Sequence, residues 1–173
     1  MITKINTNIP TQTNKRIIQT LFKTTFWGFA KDNELSHDLN KSNQGLAMVT
    51  FQDENIPHSP NEILNTYAGI IFDMVQKDSF IKFKKIKRLY WNWYDQTSQG
   101  MAYHIDDPAD NKYSIIYNLH TNDGGTNFKI NDEIKFEKST ESEAIVFPSK
   151  IWHSGVAPTK DLHRFNLNII TEI

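Results

Sequence analysis

The pattern of apolar and polar residues changes about halfway along the chain. In the first half, Thr11–Phe29 carries apolar residues three to four positions apart, which predicts an amphipathic helix. A second helix is predicted from Ser59 to about Lys77, because the sequence Ser-Pro-Asn-Glu supplies a cap, a first-turn proline and an acidic third position. Between the helices, the polar stretch Lys31–Gln44 predicts a loop, and Gly45–Phe51 predicts a short strand.

From Phe83 onward the apolar residues alternate with a period of two, which is typical of half-buried strands. The segments are short, and turn sequences such as Asp107-Pro108 and Asp123-Gly124 separate them. The pattern predicts these strands: Ile86–Tyr94, Met101–Ile105, Tyr113–His120, Gly125–Ile130, Glu133–Lys138, Glu143–Phe147, Ile151–Ala157 and Arg164–Ile170. About eight short strands favour an antiparallel sandwich or barrel. We therefore expect a mainly β (α+β) fold, with the N-terminal helices packed on one sheet.

Composition limits the class of protein further. The chain has 173 residues, of which 38% are hydrophobic, and this predicts one globular domain over residues 1–173. Residues 1–82 would support a β-rich core formed by residues 83–173. A net charge of -1 gives no overall basic field for binding nucleic acid. We see neither a signal peptide nor an apolar run that could span a membrane, and we expect a cytoplasmic monomer or weak homodimer.

The sequence contains no cysteine, so zinc fingers, iron–sulfur clusters and thiol catalysis are excluded. Any metal ion must therefore be held by His, Asp or Glu. His104 and Asp106 are two residues apart on a predicted strand, and residues with this spacing project from the same face. His153 lies on a later predicted strand. Two histidines and one carboxylate form a facial triad that suits non-haem Fe(II). The pair alone is weak evidence, because a surface His beside a loop Asp gives the same pattern.

The last predicted strand has an unusually polar face. Alternation places Arg164, Asn166 and Asn168 on one side, and Phe165 with the other apolar residues on the opposite side. An arginine that points into the core needs an anion, because an unpaired buried charge is costly. The guanidinium group is well suited to binding a carboxylate through two hydrogen bonds. A surface arginine on a solvated strand face is the alternative interpretation.

The order and spacing of His104-x-Asp106, His153 and Arg164 resemble the Fe(II)/2-oxoglutarate-dependent oxygenase superfamily, in particular its prolyl-4-hydroxylase-like branch. The resemblance covers roughly residues 89–173. It implies a double-stranded β-helix (jelly-roll) fold and the use of Fe(II), 2-oxoglutarate and O2. It also implies an enzyme that hydroxylates an unactivated C–H bond.

The resemblance assigns roles to individual residues. The implied iron ligands are His104, Asp106 and His153. Arg164 would pair with the distal carboxylate of 2-oxoglutarate, and Tyr94 would bond the same carboxylate. A further contact with the co-substrate is implied for Asn118, with Tyr117 as the second choice.

The substrate is left open between a peptidyl (prolyl-type) side chain and a small molecule. Enzymes that demethylate nucleic acids usually carry a second arginine where this chain has Ile170, which disfavours a nucleic-acid substrate. Two alternatives without catalysis also remain. One is a cupin-like module that binds a metal without turnover, and the other is a structural jelly roll in which the triad is coincidental.

Overall fold

The computed structural model describes residues 1–25, 27–29, 45–52 and 61–173. Within these ranges the chain forms two helices, α1 (Thr11–Lys23) and α2 (Glu62–Asp78). The strands of the same ranges are β1 (Thr3–Asn6), β2 (Gly28–Phe29), β3 (Leu46–Gln52), β4 (Lys85–Asp95), β5 (Lys112–Asn118), β6 (Gly125–Ile130), β7 (Glu133–Lys138), β8 (Glu143–Pro148), β9 (His153–Val156) and β10 (His163–Glu172). No helix in these ranges is long and apolar enough to cross a membrane.

The strands form two antiparallel sheets that face each other. The larger sheet has the order β1-β8-β5-β10-β4-β3-β2, and the smaller sheet has the order β7-β6-β9. Ile116 of β5 and Phe147 of β8 pack against Phe128 of β6, so one apolar cluster fills part of the space between the sheets. Two facing sheets with these non-sequential neighbours confirm the predicted mainly β jelly roll.

Both helices lie on the outer face of the larger sheet. Leu21 of α1 and Ile71 of α2 are buried in the same cluster as Phe165 and Leu167 of β10. The apolar side of the last strand therefore faces the helices, and its polar side faces the smaller sheet, as alternation predicts. This arrangement confirms that the helices cover one sheet. Their apolar contacts leave the inner face of β10 available for a site.

One predicted strand is wrong. The segment Met101–Ile105 forms only an isolated bridge, between His104 and His153. Met101 N donates to Gly155 O and His104 N donates to His153 O, so three steps along this segment face two steps along β9. This mismatch interrupts a continuous ladder. The other seven predicted strands after residue 83 are present, with ends shifted by no more than two residues.

The predicted boundaries of both helices also need correction. α1 ends at Lys23 and not at Phe29, because the backbone adopts an extended conformation at the β-branched residue Thr24. α2 begins at Glu62, where the side chain of Asn61 accepts a hydrogen bond from Leu64 N at 3.1 Å. The proposed cap Ser59 and the loop 31–44 lie outside the described residues. Strand β1 was not predicted, and it extends the larger sheet by pairing with β8.

Candidate active site

Two histidines and one aspartate converge at one end of the space between the sheets. The backbones of His104 and His153 exchange two N–H···O hydrogen bonds of 2.9 Å, which brings their rings to a centroid distance of 4.3 Å. Asp106 lies beside both rings, with Oδ1 3.8 Å from His104 Nε2 and Oδ2 3.5 Å from His153 Nε2. The possible ligand atoms of the three residues all lie within 4.8 Å of one another. The structure therefore brings the three predicted metal ligands together.

The hydrogen bonds of the two rings leave the Nε2 atoms facing the triad. His104 Nδ1 bonds Ala102 O, and His153 Nδ1 bonds Ile151 O, each at 2.9 Å. A carbonyl can only accept, so Nδ1 carries the proton and Nε2 keeps its lone pair. His153 Nε2 is buried and has no hydrogen-bond partner among the described residues. Burial and the neighbouring His104 lower the pKa of His153 to about 4, so the ring is neutral at pH 7. These features fit a metal ligand.

Asp106 is held by hydrogen bonds to both of its oxygens. Tyr90 Oη donates to Oδ1 at 2.9 Å, and Ser114 Oγ donates to Oδ2 at 2.6 Å. Burial opposes the ionisation of Asp106, but its interactions with His153, His104 and Arg88 outweigh burial and lower its pKa to about 2. The carboxylate is therefore ionised at neutral pH. Each oxygen still has a lone pair with which to bind a cation.

Arg164 is a buried cation at the other end of the same space. Its side chain is 1% exposed, and it donates to Thr126 Oγ1 at 3.1 Å and to Val156 O at 3.3 Å. No carboxylate among the described residues pairs with it, and its Nε has no partner there. Burial lowers the pKa of Arg164 to about 10, so the group stays charged at neutral pH. An unpaired buried charge is costly, and this arrangement therefore favours an anionic ligand.

A cavity connects the two histidines of the triad with Arg164. Its lining residues come from both sheets and from the segment before β5: Tyr90, Asn92, Tyr94, Met101, His104, Ile116, Thr126, His153, Gly155, Arg164, Asn166 and Asn168. Burial raises the pKa of Tyr94, whose ring lies beneath the guanidinium group at 5.2 Å. Its hydroxyl group therefore stays protonated and can donate a hydrogen bond in the cavity.

Four of the seven sequence-predicted residues line this cavity, and a fifth, Asp106, lies against its two histidines. The remaining two residues, both on β5, lie outside the lining. Tyr117 lies on the opposite face of β5, where its hydroxyl donates to Asn14 Oδ1 of α1 at 2.8 Å. Asn118 is buried near the end of β5, and its Oδ1 accepts a hydrogen bond from Ser139 Oγ at 3.0 Å. Ile116 is the β5 residue that lines the cavity. A co-substrate contact of Asn118 or Tyr117 therefore stays a prediction, and neither side chain lines the cavity.

Three functional candidates were missed from the sequence. Tyr90 lies four residues before Tyr94 on β4, and this even spacing puts both rings on the cavity face, which could have revealed it. Ser114 lies two residues before Ile116 on β5 and could have been found in the same way. Thr126 carries no such signal, because its role depends on contact between β6 and the distant Arg164.

The sequence matches no family model and no curated protein. Solved structures nevertheless share its fold over 99% of this chain. A prolyl hydroxylase from Trichoplax adhaerens, in complex with an oxygen-degradation-domain peptide of hypoxia-inducible factor, has a TM-score of 0.72 at 12% identity, with 83% of that chain covered. A Pseudomonas putida prolyl-4-hydroxylase has a TM-score of 0.66 at 10% identity, with 92% of its chain covered.

A third structure with this fold is the non-haem α-ketoglutarate-dependent epimerase SnoN of nogalamycin biosynthesis. Its TM-score is 0.71 at 10% identity, and the match covers 99% of this chain and 78% of that one. The protein therefore has the fold of prolyl hydroxylases and other 2-oxoglutarate-Fe(II) oxygenases. At these identities the comparison establishes the fold, while the arguments for chemistry come from the residues of the cavity.

Proposed function

We propose that the protein is an Fe(II)- and 2-oxoglutarate-dependent oxygenase that hydroxylates an unactivated C–H bond. The observation that carries this proposal is that a His–Asp–His triad lies at one end of one cavity and the buried Arg164 lies at the other, where no carboxylate of the described residues pairs with it. The triad suits a divalent metal ion, and the arginine suits a carboxylate. A 2-oxo dicarboxylic acid offers groups to both ends.

His104, Asp106 and His153 would hold the metal ion. When bound, Fe(II) supplies the oxidative chemistry with O2 and 2-oxoglutarate. The chain itself fixes the ligands before the metal arrives, because the carbonyls of Ala102 and Ile151 orient the two rings. Hydrogen bonds from neighbouring side chains orient the carboxylate in the same way. Groups that hydrogen-bond metal ligands in this way commonly contribute about 10- to 100-fold to metal affinity or activity.

Arg164 would bind the distal carboxylate of 2-oxoglutarate. Its side chain is held by Thr126 and Val156, so the guanidinium group is positioned before the ligand enters. The protonated hydroxyl of Tyr94 is the second donor that we assign to this carboxylate. Burial strengthens both contacts, because water competes poorly for them inside the cavity. The two sheets also shield the reacting groups from solvent.

For the substrate we propose a peptidyl side chain of the prolyl type. The support is the similarity in fold to two prolyl hydroxylases, one of which was solved with a peptide. A small-molecule substrate is the second candidate, because the epimerase of nogalamycin biosynthesis shares the fold. A metal-binding module without turnover is less well supported, since it has no use for a buried arginine in the same cavity.

Turnover of 2-oxoglutarate tests this proposal. The enzyme is reconstituted with Fe(II) and ascorbate, and succinate is measured during uncoupled turnover and with proline-containing peptides. The wild type should form succinate only with Fe(II), and Arg164→Leu should lower kcat/KM for 2-oxoglutarate by about 100-fold, as expected for losing a buried charged contact of 2–5 kcal/mol. Tyr117→Phe is the matched control, because Tyr117 lies outside the cavity lining. Succinate formation by Arg164→Leu at the wild-type rate would contradict the proposal.

A further inference from the structure

A second arginine, Arg88, lies beside the triad on the side away from Arg164. Every second residue of β4 pairs with β10 in this order along the sheet: Tyr94–Arg164, Asn92–Asn166, Tyr90–Asn168 and Arg88–Ile170. Six residues of an extended strand span about 20 Å, so the two arginines stand far apart on the same sheet. A co-substrate that reaches from Arg164 to the triad ends there, and Arg88 lies beyond it.

The guanidinium group of Arg88 contacts one ring and one carboxylate. Its carbon atom lies over the ring of Tyr90, 4.9 Å from the centroid, and Nη2 lies 3.7 Å from Asp106 Oδ1. The second distance is too long for a hydrogen bond. The ring of Tyr90 covers a face of the guanidinium group, whereas its N–H groups point outward in the plane. The contact with the ring therefore orients Arg88 without using its hydrogen-bond donors.

Solvent reaches Arg88 but hardly reaches the triad. The side chain of Arg88 is 32% exposed, whereas that of Asp106 is 1% exposed. The side chains of His104 and His153 are 8% and 2% exposed. A molecule that approaches the triad from this side of the sheet therefore meets Arg88 first.

The position of Arg88 is not explained by metal binding, because a cation beside a ligand carboxylate repels a second cation. Asp106 is the only carboxylate within 4 Å of Arg88 among the described residues. A divalent ion bound to Asp106 more than offsets its single negative charge, so Arg88 then has no anion to balance it. The carboxylates of 2-oxoglutarate do not supply one, since they are assigned to Arg164 and to the metal end of the cavity. The charge of Arg88 therefore favours a further anionic ligand.

We propose that Arg88 binds a carboxylate of the substrate that is oxidised, which is then an acidic peptide. This inference rests on the proposed function, since it takes the triad as the metal site and a prolyl-type peptide as the substrate. An acceptor about 3 Å from Nη2 lies within about 7 Å of Asp106 Oδ1, which is the length of about two residues. The carboxylate therefore belongs to the target residue or to its neighbour. A peptide C-terminus and an acidic side chain offer the same two oxygens to the guanidinium group.

Two pairs of peptides, each differing only in this charge, test the inference. One pair is acetyl-Gly-Pro with a free or an amidated C-terminus, and the other is acetyl-Pro-Glu-amide with acetyl-Pro-Gln-amide. Their dissociation constants are measured by calorimetry for the full chain loaded with Zn(II) and 2-oxoglutarate. In at least one pair, the wild type should bind the acid about tenfold more tightly, and less so at high salt, because Arg88 is partly exposed. The pair that shows the preference identifies the source of the carboxylate.

Arg88→Gln should reduce this ratio to about one and bind 2-oxoglutarate as the wild type does. Lys87→Gln is the matched control, because it removes the same charge from the adjacent residue, which alternation places on the opposite face of β4. It should keep the preference. Arg88→Lys retains the charge without the planar group and should keep part of the preference.

The wild type alone can refute the inference, even if the Arg88 variants do not fold. Equal affinities for acid and neutral peptides, or binding of none of the four, would overturn it and leave the proposed function intact. An unchanged preference in Arg88→Gln would also overturn it, because the acid would then bind elsewhere. Weaker binding of 2-oxoglutarate by Arg88→Gln would assign this arginine to the co-substrate instead. A wild type that does not bind 2-oxoglutarate would contradict the proposed function as well.

Discussion

The Tyr90 hydroxyl donates a hydrogen bond of 2.9 Å to Oδ1 of Asp106, the carboxylate that lies between the two histidines of the triad. Burial, followed by the negative charge of Asp106, raises the pKa of Tyr90 well above its usual value. The hydroxyl group therefore keeps its proton and remains a donor throughout the neutral range. Tyr90 is thus a positioning residue for the carboxylate.

Replacing Tyr90 by Phe should lower the affinity for Fe(II) about tenfold, because partners of this kind contribute 10- to 100-fold to metal binding. The affinity is measured by anaerobic titration with Fe(II), and with Co(II) as a spectroscopic substitute. Tyr117→Phe is the control, since it removes an equally buried tyrosine hydroxyl that bonds Asn14 on the opposite face of the sheet. It should cost about 1 kcal/mol of stability and leave metal affinity unchanged. Equal metal affinity in both variants would refute the role of Tyr90.

The absence of a side chain at Gly155 leaves room for the ring of Tyr94 in the cavity. A Cβ atom added at Gly155 would lie 2.5 Å from the Tyr94 hydroxyl oxygen. Gly155→Ala should therefore push the ring toward the space used by the co-substrate. We expect the dissociation constant for 2-oxoglutarate to rise about tenfold, since overpacking typically costs 1–3 kcal/mol. Metal affinity should be retained, and calorimetry with Zn(II)-loaded protein separates the two effects.

Gly69→Ala is the matched control for this substitution. Gly69 lies within α2, and a Cβ atom there would meet nothing within 4 Å. The variant should gain about 0.5–1 kcal/mol of stability, because alanine favours a helix over glycine. It should bind 2-oxoglutarate as the wild type does. If Gly155→Ala also bound 2-oxoglutarate as tightly as the wild type, the close approach of Gly155 to Tyr94 would have no effect on binding in the cavity.

Asp123 stabilises the turn that leads into β10. Its Oδ2 accepts hydrogen bonds from Thr159 Oγ1 at 2.6 Å and from Lys160 N at 2.9 Å, and its Oδ1 accepts one from Asp161 N at 3.0 Å. The bond from the Thr159 side chain, followed by the backbone bonds, lowers the pKa of Asp123 well below its usual value. A lowered pKa in the folded state contributes stability above the unfolded-state value of about 4. That contribution is lost as the pH falls below this value.

We therefore expect Asp123→Asn to lower the melting temperature at pH 7. The difference from the wild type should shrink as the pH is lowered from about 4 toward 2, because the unfolded wild type then binds a proton at Asp123 while the folded state keeps the carboxylate ionised. Thermal unfolding followed by circular dichroism over this range measures both effects. A difference that is the same at pH 7 and at pH 2.5 would show that the charge of Asp123 contributes nothing to the turn.

The sequence predicts best those features that depend on a regular period. Alternation along β10 correctly places Arg164 in the interior and Phe165 against the helices. The resemblance offers the neighbours Asn118 and Tyr117 for one contact, although adjacent residues of a strand lie on opposite faces, and Tyr117 bonds α1. The bridge between His104 and His153 joins distant segments, and no local pattern reveals it. Contacts of this kind, including that of Thr126 with Arg164, require the folded structure.

The binding of Fe(II) and 2-oxoglutarate together tests the central claim most directly. Under anaerobic conditions, the weak visible charge-transfer band of the Fe(II)–2-oxoglutarate complex is recorded for the wild type, His153→Ala and Tyr117→Phe. The proposed function predicts a band in the wild type and in Tyr117→Phe, and none in His153→Ala, where the buried Nε2 ligand is lost. If the wild type gave no band and no metal-dependent rise in melting temperature, the triad and Arg164 would not form an oxygenase site.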